Sequence, residues 1–311
     1  MLEHKKYNSI DRKKDDNADN FKSGVHILVQ EKLDGSNTSL QYDQDLNIIQ
    51  SFSRNQTLSP ENTLRGFFEY ANDLDKQKFK EVFNSNLRVF GEWLMSHTVV
   101  YPKDCYNKFY VFDVYDYSKN TYLNHLEVKE FAKAFGFDVV PTLFDGTFES
   151  WEQVQEFVGV TKMGGELGEG VIIRLSKTNN SFDDLDTKSP IILKVVHDSF
   201  KETQISNRNK KRKKAKAKVE LPEGYEQAVI DTESIVTKNR VKKILDKMID
   251  ENELMYDWDK SNLHDILKVL PKKVLDDCCN EEPEIVQKIN DIYPFKKLCH
   301  PRTVILLKEL Y

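Results

Sequence analysis

At 311 residues, 39% of them hydrophobic and 31% charged, the chain is long for one core and has the composition of a globular protein with two domains. Its 46 Lys and Arg against 51 Asp and Glu leave a net charge of -5, which excludes a uniformly basic coat for nucleic acid and confines any such surface to a patch. No apolar run approaches the roughly 18 residues that span a bilayer, Met1 to Asp16 carry no apolar leader, and Cys105, Cys278, Cys279 and Cys299 lack metal or disulfide spacing, so reduced thiols in a cytoplasmic or, in a eukaryote, nuclear protein are expected.

Glu3 to Ser23 mix Lys, Asp and Asn without periodicity and read as a surface lead-in with a short strand around Tyr7 to Ile10. The apolar run Val25 to Val29 then reads as a buried strand leading through Glu31 to Lys32, and Lys32-Leu33-Asp34-Gly35 turns the chain sharply back. A hydrated ammonium at the end of an apolar strand costs free energy unless something pairs or reacts with it, which marks Lys32 as a candidate covalent nucleophile. Thr38 to Tyr42 and Ile48 to Phe52 are short strands around Asp43-Gln44-Asp45, and they leave Arg54 exposed where the second one ends. An arginine there is, by itself, a solvated surface charge.

Leu64 to Phe83 follows a helical pattern that covers a sheet face. Leu87 to Trp93 is a second apolar strand, in which Gly91 permits close approach and Glu92 follows at once. Phe109 to Val114 is a third, with Asp113 inside it in need of a partner; strand alternation puts Phe112 and Asp113 on opposite faces. A helix is expected from Leu126 to Phe135, ended by Gly136, then an extended piece at Val139-Val140-Pro141 and a helix from Trp151 to Val158. The glycine-rich window Met163 to Gly170 is a loop that feeds Glu169 into the strand Val171 to Arg174; alone it is a weak signal, lacking the lysine of a P-loop. Ile191 to Val196 sets Lys194 in another nearly continuous apolar run.

For each of these charges alone an ion-paired structural role is the commoner explanation. Together they suit phosphoryl chemistry, in which cations hold phosphate oxygens and carboxylates hold a divalent metal. In order, Lys32-Leu33-Asp34-Gly35, Arg54, Phe90-Gly91-Glu92, Phe112-Asp113, Glu169-Gly170-Val171-Ile172 and Leu193-Lys194-Val195 resemble motifs I, Ia, III, IIIa, IV and V of the covalent nucleotidyltransferases, over residues from about 25 to 205. That superfamily comprises DNA ligases, RNA ligases and mRNA-capping guanylyltransferases. Glu31-Lys32 followed by Gly35-Ser36-Asn37 looks like motif I of the nick-sealing RNA ligase 2 type, Glu-Lys-x-x-Gly-Thr/Ser-Asn.

The resemblance implies an α+β fold: an ATP-grasp-like nucleotidyltransferase domain of antiparallel sheets flanked by helices over 1–205, a basic linker over 206–222, and a small all-α domain over 223–311. It implies that Lys32 attacks the α-phosphate of ATP to form a lysyl-AMP. Glu31 would read adenine through its backbone, Phe112 stack on the base, Glu92 contact the ribose, Glu169 support Mg2+ or Mn2+, and Lys194 hold the α-phosphate. Asn37 and Arg54 would lie near the AMP phosphate or the RNA 5′-phosphate, with Asp34, Gly35 and Asp113 in support. One position departs: motif V usually reads Lys-x-Lys, and here it is Lys194-Val195-Val196, with Lys188 and Lys201 as possible substitutes.

Arg208 to Lys218 is the one strongly basic run, and Lys210, Lys211, Arg212, Lys213 and Lys214 within it are candidate contacts to an RNA backbone; a solvated linker or a nuclear-localisation signal competes. Beyond Pro222 and Gly224, Val241, Ile244, Leu245, Met248 and Ile249 share a helical face behind the cap Thr237. Leu263, Ile266, Leu267 and Leu270 repeat the spacing, and Ile285, Ile289 and Ile292 form a third face. The expectation is a monomeric ATP-dependent RNA ligase that joins 5′-phosphate and 3′-hydroxyl ends in duplex or bridged RNA. A DNA ligase or a guanylyltransferase is the enzymatic alternative, disfavoured by the missing β pattern of an OB domain; a non-catalytic RNA-binding protein on the same scaffold is the other, with Val196 as its support.

Overall fold

In the computed structural model, which describes residues 2–14, 17–175, 190–200, 221–256, 258–259 and 262–310, the chain divides into two units, Met1–His197 and Asp198–Tyr311. In chain order the first carries β1 (Asp11–Arg12), β2 (His26–Glu31), β3 (Ser36–Asp43), β4 (Ile48–Ser53), α1 (Phe67–Asp73), α2 (Lys76–Phe83), β5 (Leu87–Leu94), β6 (Lys108–Asp116), β7 (Thr121–Tyr122), α3 (His125–Phe135), β8 (Asp138–Val139), β9 (Thr142–Thr147), α4 (Trp151–Gln155), β10 (Gly170–Leu175) and β11 (Ile192–Val196). These strands make two sheets. One has the order β1-β11-β10-β2-β9, the other β4-β3-β5-β6-β7, with β8 alongside β6. All pairs are antiparallel except β1 with β11 and β6 with β8.

The turn expected at Lys32 is not a hairpin. β2 pairs with β10 and β9, whereas β3 pairs with β4 and β5, so Lys32-Leu33-Asp34-Gly35 carries the chain from one sheet to the other. The outer face of the second sheet is covered by α1, α2 and α3 over a core that includes Leu40, Phe67, Phe79, Phe83, Val89, Trp93 and Val111. Ile27, Val29, Val171, Ile173 and Leu193 of the first sheet bury instead against Phe21, Phe148 and Val154.

Several elements differ from expectation for local reasons. The long helical pattern from Leu64 splits, because extended backbone at Leu74 and Asp75 ends α1 and the Asp75 carboxylate caps α2 by accepting from the Lys78 amide (3.0 Å). α4 stops at Gln155, where the Phe157 and Val158 amides tighten onto the carbonyls of Val154 and Gln155. α3 runs from a capping box of Asn124 and Glu127 to Gly136, whose φ of 102° closes it.

Most of the N-terminal lead-in lies at the surface, but not all of it. Its strand is Asp11–Arg12 rather than Tyr7 to Ile10, and Tyr7 is buried. Arg88, fully buried over the Phe52 ring, donates to the carbonyls of Glu3 (2.8 Å) and Lys5 (3.2 Å) and so fastens the segment down. The β5–β6 register pairs Phe90 with Asp113 and Gly91 with Val111, which leaves Phe112 as an extra, unopposed residue. This bulge breaks the alternation. Phe112 and Asp113 both meet Tyr7, the first by an edge-on ring contact at 5.0 Å, the second by a 2.5 Å bond from the Tyr7 hydroxyl, so they do not face opposite sides.

Asp113 also accepts from Arg174 Nη1 at 2.8 Å. Arg174 belongs to β10 and Asp113 to β6, so this buried ion pair ties one sheet to the other. Burial works against the guanidinium charge, but Asp113 and Tyr7 outweigh it and raise the Arg174 pKa; burial and the neighbouring Asp113 push the Tyr7 hydroxyl up as well.

Among its described residues the second unit has helices and one short 3-10 turn, and no strand: α5 (Tyr225–Ile235), α6 (Lys238–Asp250), α7 (Leu263–Glu281), α8 (Pro283–Ile292) and α9 (Phe295–Leu310). Thr237 caps α6 by accepting from the Arg240 amide (3.3 Å). Val241, Ile244, Leu245, Met248, Ile266, Leu270 and Ile289 enter one core, and Arg240 is buried against Asp277 (3.2 Å) and Glu282 (3.4 Å). No described helix is long and apolar enough to cross a membrane.

Arg174→Met is expected to cost about 3–5 kcal/mol, because it strands the buried Asp113 carboxylate between the sheets. Urea unfolding of the variant and of the native chain measures this; a loss below about 1 kcal/mol would show that the pair does not hold the sheets together.

Candidate active site

The strand β2 ends at Glu31, so Lys32 leaves the sheet with its amide still donating to the Gly170 carbonyl at 2.9 Å. Its ammonium donates to the carboxylate of Glu169, the residue just before β10. Both side chains are largely buried. A Cβ on Gly170 would run into the Val195 carbonyl, so only glycine lets β10 start this close to β11 beside the pair.

The rest of the crossover is held from the second sheet and the loop after β5. The Asp34 carboxylate accepts from the amides of Thr98 and Val99, each at 2.8 Å, and faces His97 at 3.8 Å, while its own amide donates to the Tyr101 hydroxyl (3.0 Å). Burial alone would raise the Asp34 carboxyl; His97, the charge of Lys32 and the Val99 amide overturn that and hold it well below the usual carboxylate range. The Gly35 amide donates to Glu92 at 3.1 Å, and a Cβ on Gly35 would lie 2.5 Å from the Trp93 carbonyl. Burial pushes Glu92 up to about 7, with the charge of Glu169 adding to it and those of Lys32 and His97 opposing it.

Lys32, Asp34, Gly35, Glu92 and Glu169 therefore meet around one point where the chain changes sheets. Asn37 in β3 lies directly opposite Glu92 in register. Lys194 sits in β11 opposite Ile172, two cross-strand rows behind Gly170 and Val196. Phe112, half-buried, is steadied by Tyr7.

Other residues lie elsewhere. The Glu31 carboxylate is buried and pins the loop after α4, accepting from the Thr161 hydroxyl (2.6 Å) and the amides of Lys162 (2.8 Å) and Met163 (3.3 Å); burial raises its pKa against those bonds. Arg54 donates to the Ser9 hydroxyl at 3.0 Å, and Asp113 is taken up by Arg174 and Tyr7. Lys188, Lys201 and Lys210, Lys211, Arg212, Lys213 and Lys214 lie outside the described residues. Sequence reasoning missed Tyr7, His97, Tyr101 and Arg174. Tyr7 stands in a charged segment without period and His97 in a loop, so neither carries a local signal.

A sequence model described as RNA ligase matches residues 25–196, more than half of the chain. The chain belongs to the RNA ligase family. No curated sequence matches it. Among solved structures it resembles the RNA ligase of Naegleria gruberi with PPi, at 19% identity and a TM-score of 0.43, over 62% of this chain and 56% of that one. A lysine variant of that ligase with ATP and Mn matches at 20% identity and a TM-score of 0.43, again over 62% and 56%. The chain thus spans little more than half the length of the RNA ligase structures it matches.

The raised Glu92 carboxyl has a measurable consequence. Folded Glu92 titrates near 7 against an ordinary 4.5, so between those values the folded chain holds a proton that the unfolded chain has lost. Stability of the nucleotide-free protein should fall as pH rises through that window. Glu92→Gln keeps an acceptor for the Gly35 amide and removes the titration. The variant should show a flatter stability profile and exceed the native chain at pH 8 in urea unfolding; parallel profiles would contradict the assignment.

Proposed function

We propose that this member of the RNA ligase family is an ATP-dependent RNA ligase that works through a lysyl-AMP at Lys32. The observation that carries the reading is the Lys32–Glu169 contact at the sheet crossover, closed in by Asp34 and Glu92. In the first step the Lys32 ammonium gives up a proton to solvent, its free Nζ lone pair bonds to the α-phosphorus of ATP as a second N–H proton is lost, the bond to the bridging oxygen breaks, and pyrophosphate leaves with its electron pair. A 5′-phosphate of RNA then takes the AMP, and a 3′-hydroxyl displaces it to form the phosphodiester. Lys194 supplies positive charge to the phosphates, and half-buried Phe112 offers a face for the base.

The site also fits a divalent cation. The charge of Glu169 is felt by Glu92 and helps to keep it protonated, so a cation bound beside the pair would relieve the crowding of the two carboxyls. Among the described residues no group of three or more His, Cys, Asp or Glu would hold a metal unaided, so Glu169 would share Mg2+ or Mn2+ with the nucleotide phosphates. Such an ion supplies charge neutralisation at the reacting phosphate. The substrate is proposed as nicked duplex RNA, supported by the likeness to the RNA ligase 2 type in Glu31-Lys32 to Asn37 and by the helical second unit. The basic run Arg208 to Lys218 suits a phosphate backbone.

Incubation with α-labelled ATP and Mg2+ should leave label on the denatured chain, absent from Lys32→Ala and not formed from GTP. A native chain that takes no label would end the ligase reading and favour an RNA-binding role. Sealing should be faster on nicked duplex RNA than on nicked DNA or single strands. Affinity for the RNA should drop at least about tenfold from 50 to 200 mM salt, with a shallower slope once Lys210 to Lys214 are replaced by Ala or Gln.

A further inference from the structure

The position Val196 leaves one question of charge at the phosphate site. In place of the second lysine of Lys-x-Lys, β11 presents a valine beside Gly170, the residue whose carbonyl receives the Lys32 amide. Its neighbour on the other side is β1, the two-residue strand from the N-terminal lead-in, which pairs parallel with β11 and sets Arg12 directly beside Lys194. Gln30, Ile172, Lys194 and Arg12 are therefore one cross-strand row running over β2, β10, β11 and β1.

Two contacts decide which face that row occupies. The Lys13 ammonium lies over the Trp151 ring at 5.2 Å, on the side of the sheet covered by α4, so Arg12 one residue earlier points to the opposite side. On that opposite side Arg174 reaches Asp113 of the second sheet, and Ile172, two residues away in β10, shares its face. Arg12 and Lys194 thus turn toward the second sheet, as the Lys32 crossover does. The strand is well anchored: the Lys13 amide donates to the Lys194 carbonyl at 3.0 Å, and Asn17 Nδ2 donates to the Arg12 carbonyl at 2.7 Å. Adjacent strands stand about 4.8 Å apart, a gap that an arginine side chain readily crosses. Arg12 is half-buried, and a guanidinium there can grip phosphate oxygens with two parallel bonds.

We propose that Arg12 is the second cation of the nucleotide-phosphate site, supplied from the neighbouring strand where β11 carries Val196. This rests on the ligase reading for the identity of the nucleotide. The contact requires no new chemistry: Arg12 and Lys194 hold the phosphates from one face while Lys32 stands at the end of the sheet.

The test compares binding of α,β-methylene-ATP, which cannot transfer AMP to Lys32, with binding of adenosine, both with Mg2+. In Arg12→Ala the analogue should bind at least about tenfold more weakly and adenosine within about twofold of the native chain, as loss of a charge-assisted contact implies. Arg12→Lys should recover part of the loss, and the double variant Arg12→Ala, Val196→Lys most of it. Equal weakening of both ligands would mean that Arg12 only braces the sheet edge, and unchanged binding of the analogue would overturn the inference outright. A native chain that does not bind the analogue overturns it together with the ligase reading. A chain that binds the analogue through Arg12 yet takes no label from ATP keeps this inference and loses that reading.

Discussion

The passage of the chain between two sheets in four residues, Lys32 to Gly35, is the constraint on which the first unit depends. A segment this short cannot satisfy its own polar groups, so the second sheet and the loop after it supply partners: Thr98 and Val99 amides for Asp34, the Tyr101 hydroxyl for its amide, Glu92 for the Gly35 amide. Gly35 and Gly170 keep side chains out of the gap. The same demand that routes the backbone places an ammonium among carboxylates. Farther along, Arg174 and Asp113 bridge the sheets a second time, so their spacing is held at two points.

The charge balance within the crossover is set by the group of residues rather than by any single one. Asp34 is kept ionised by amides and His97, while Glu92 is driven toward neutrality by burial beside Glu169. Two carboxyls in one site are thus pushed in opposite directions, one becoming a fixed charge and the other a proton store. A phosphate with its counter-ion is the kind of ligand that completes such an arrangement, because it brings both signs at once.

Much of this was legible in residue patterns. Lys32, Glu92, Glu169 and Lys194 stood out as charges at the ends or inside of apolar strands, and the helical faces of the second unit followed from spacing such as Val241, Ile244, Leu245 and Met248. What escaped were features set by distant partners. The bulge at Phe112 depends on how β6 meets β5, so strand alternation put Phe112 and Asp113 on opposite sides when both turn to Tyr7. Tyr7 and Arg12 looked like solvated lead-in because their burial is decided by Arg88 and β11, many residues away. Glu31, beside Lys32 in sequence, turns to the other face and anchors a loop, as strict alternation along β2 requires.

β1 also bears on where the functional body of the protein begins. The family match starts at residue 25, but a piece trimmed to that boundary would lack Tyr7, Arg12 and the segment gripped by Arg88. Asp113 would lose one of its two donors, and β11 would become a bare edge able to pair with another chain. The recognisable ligase module and the folding module are therefore not the same stretch of chain. A substitution among the first dozen residues therefore acts on the sheet that carries Glu169 and Lys194 through Tyr7 and β1, although it lies outside the matched stretch.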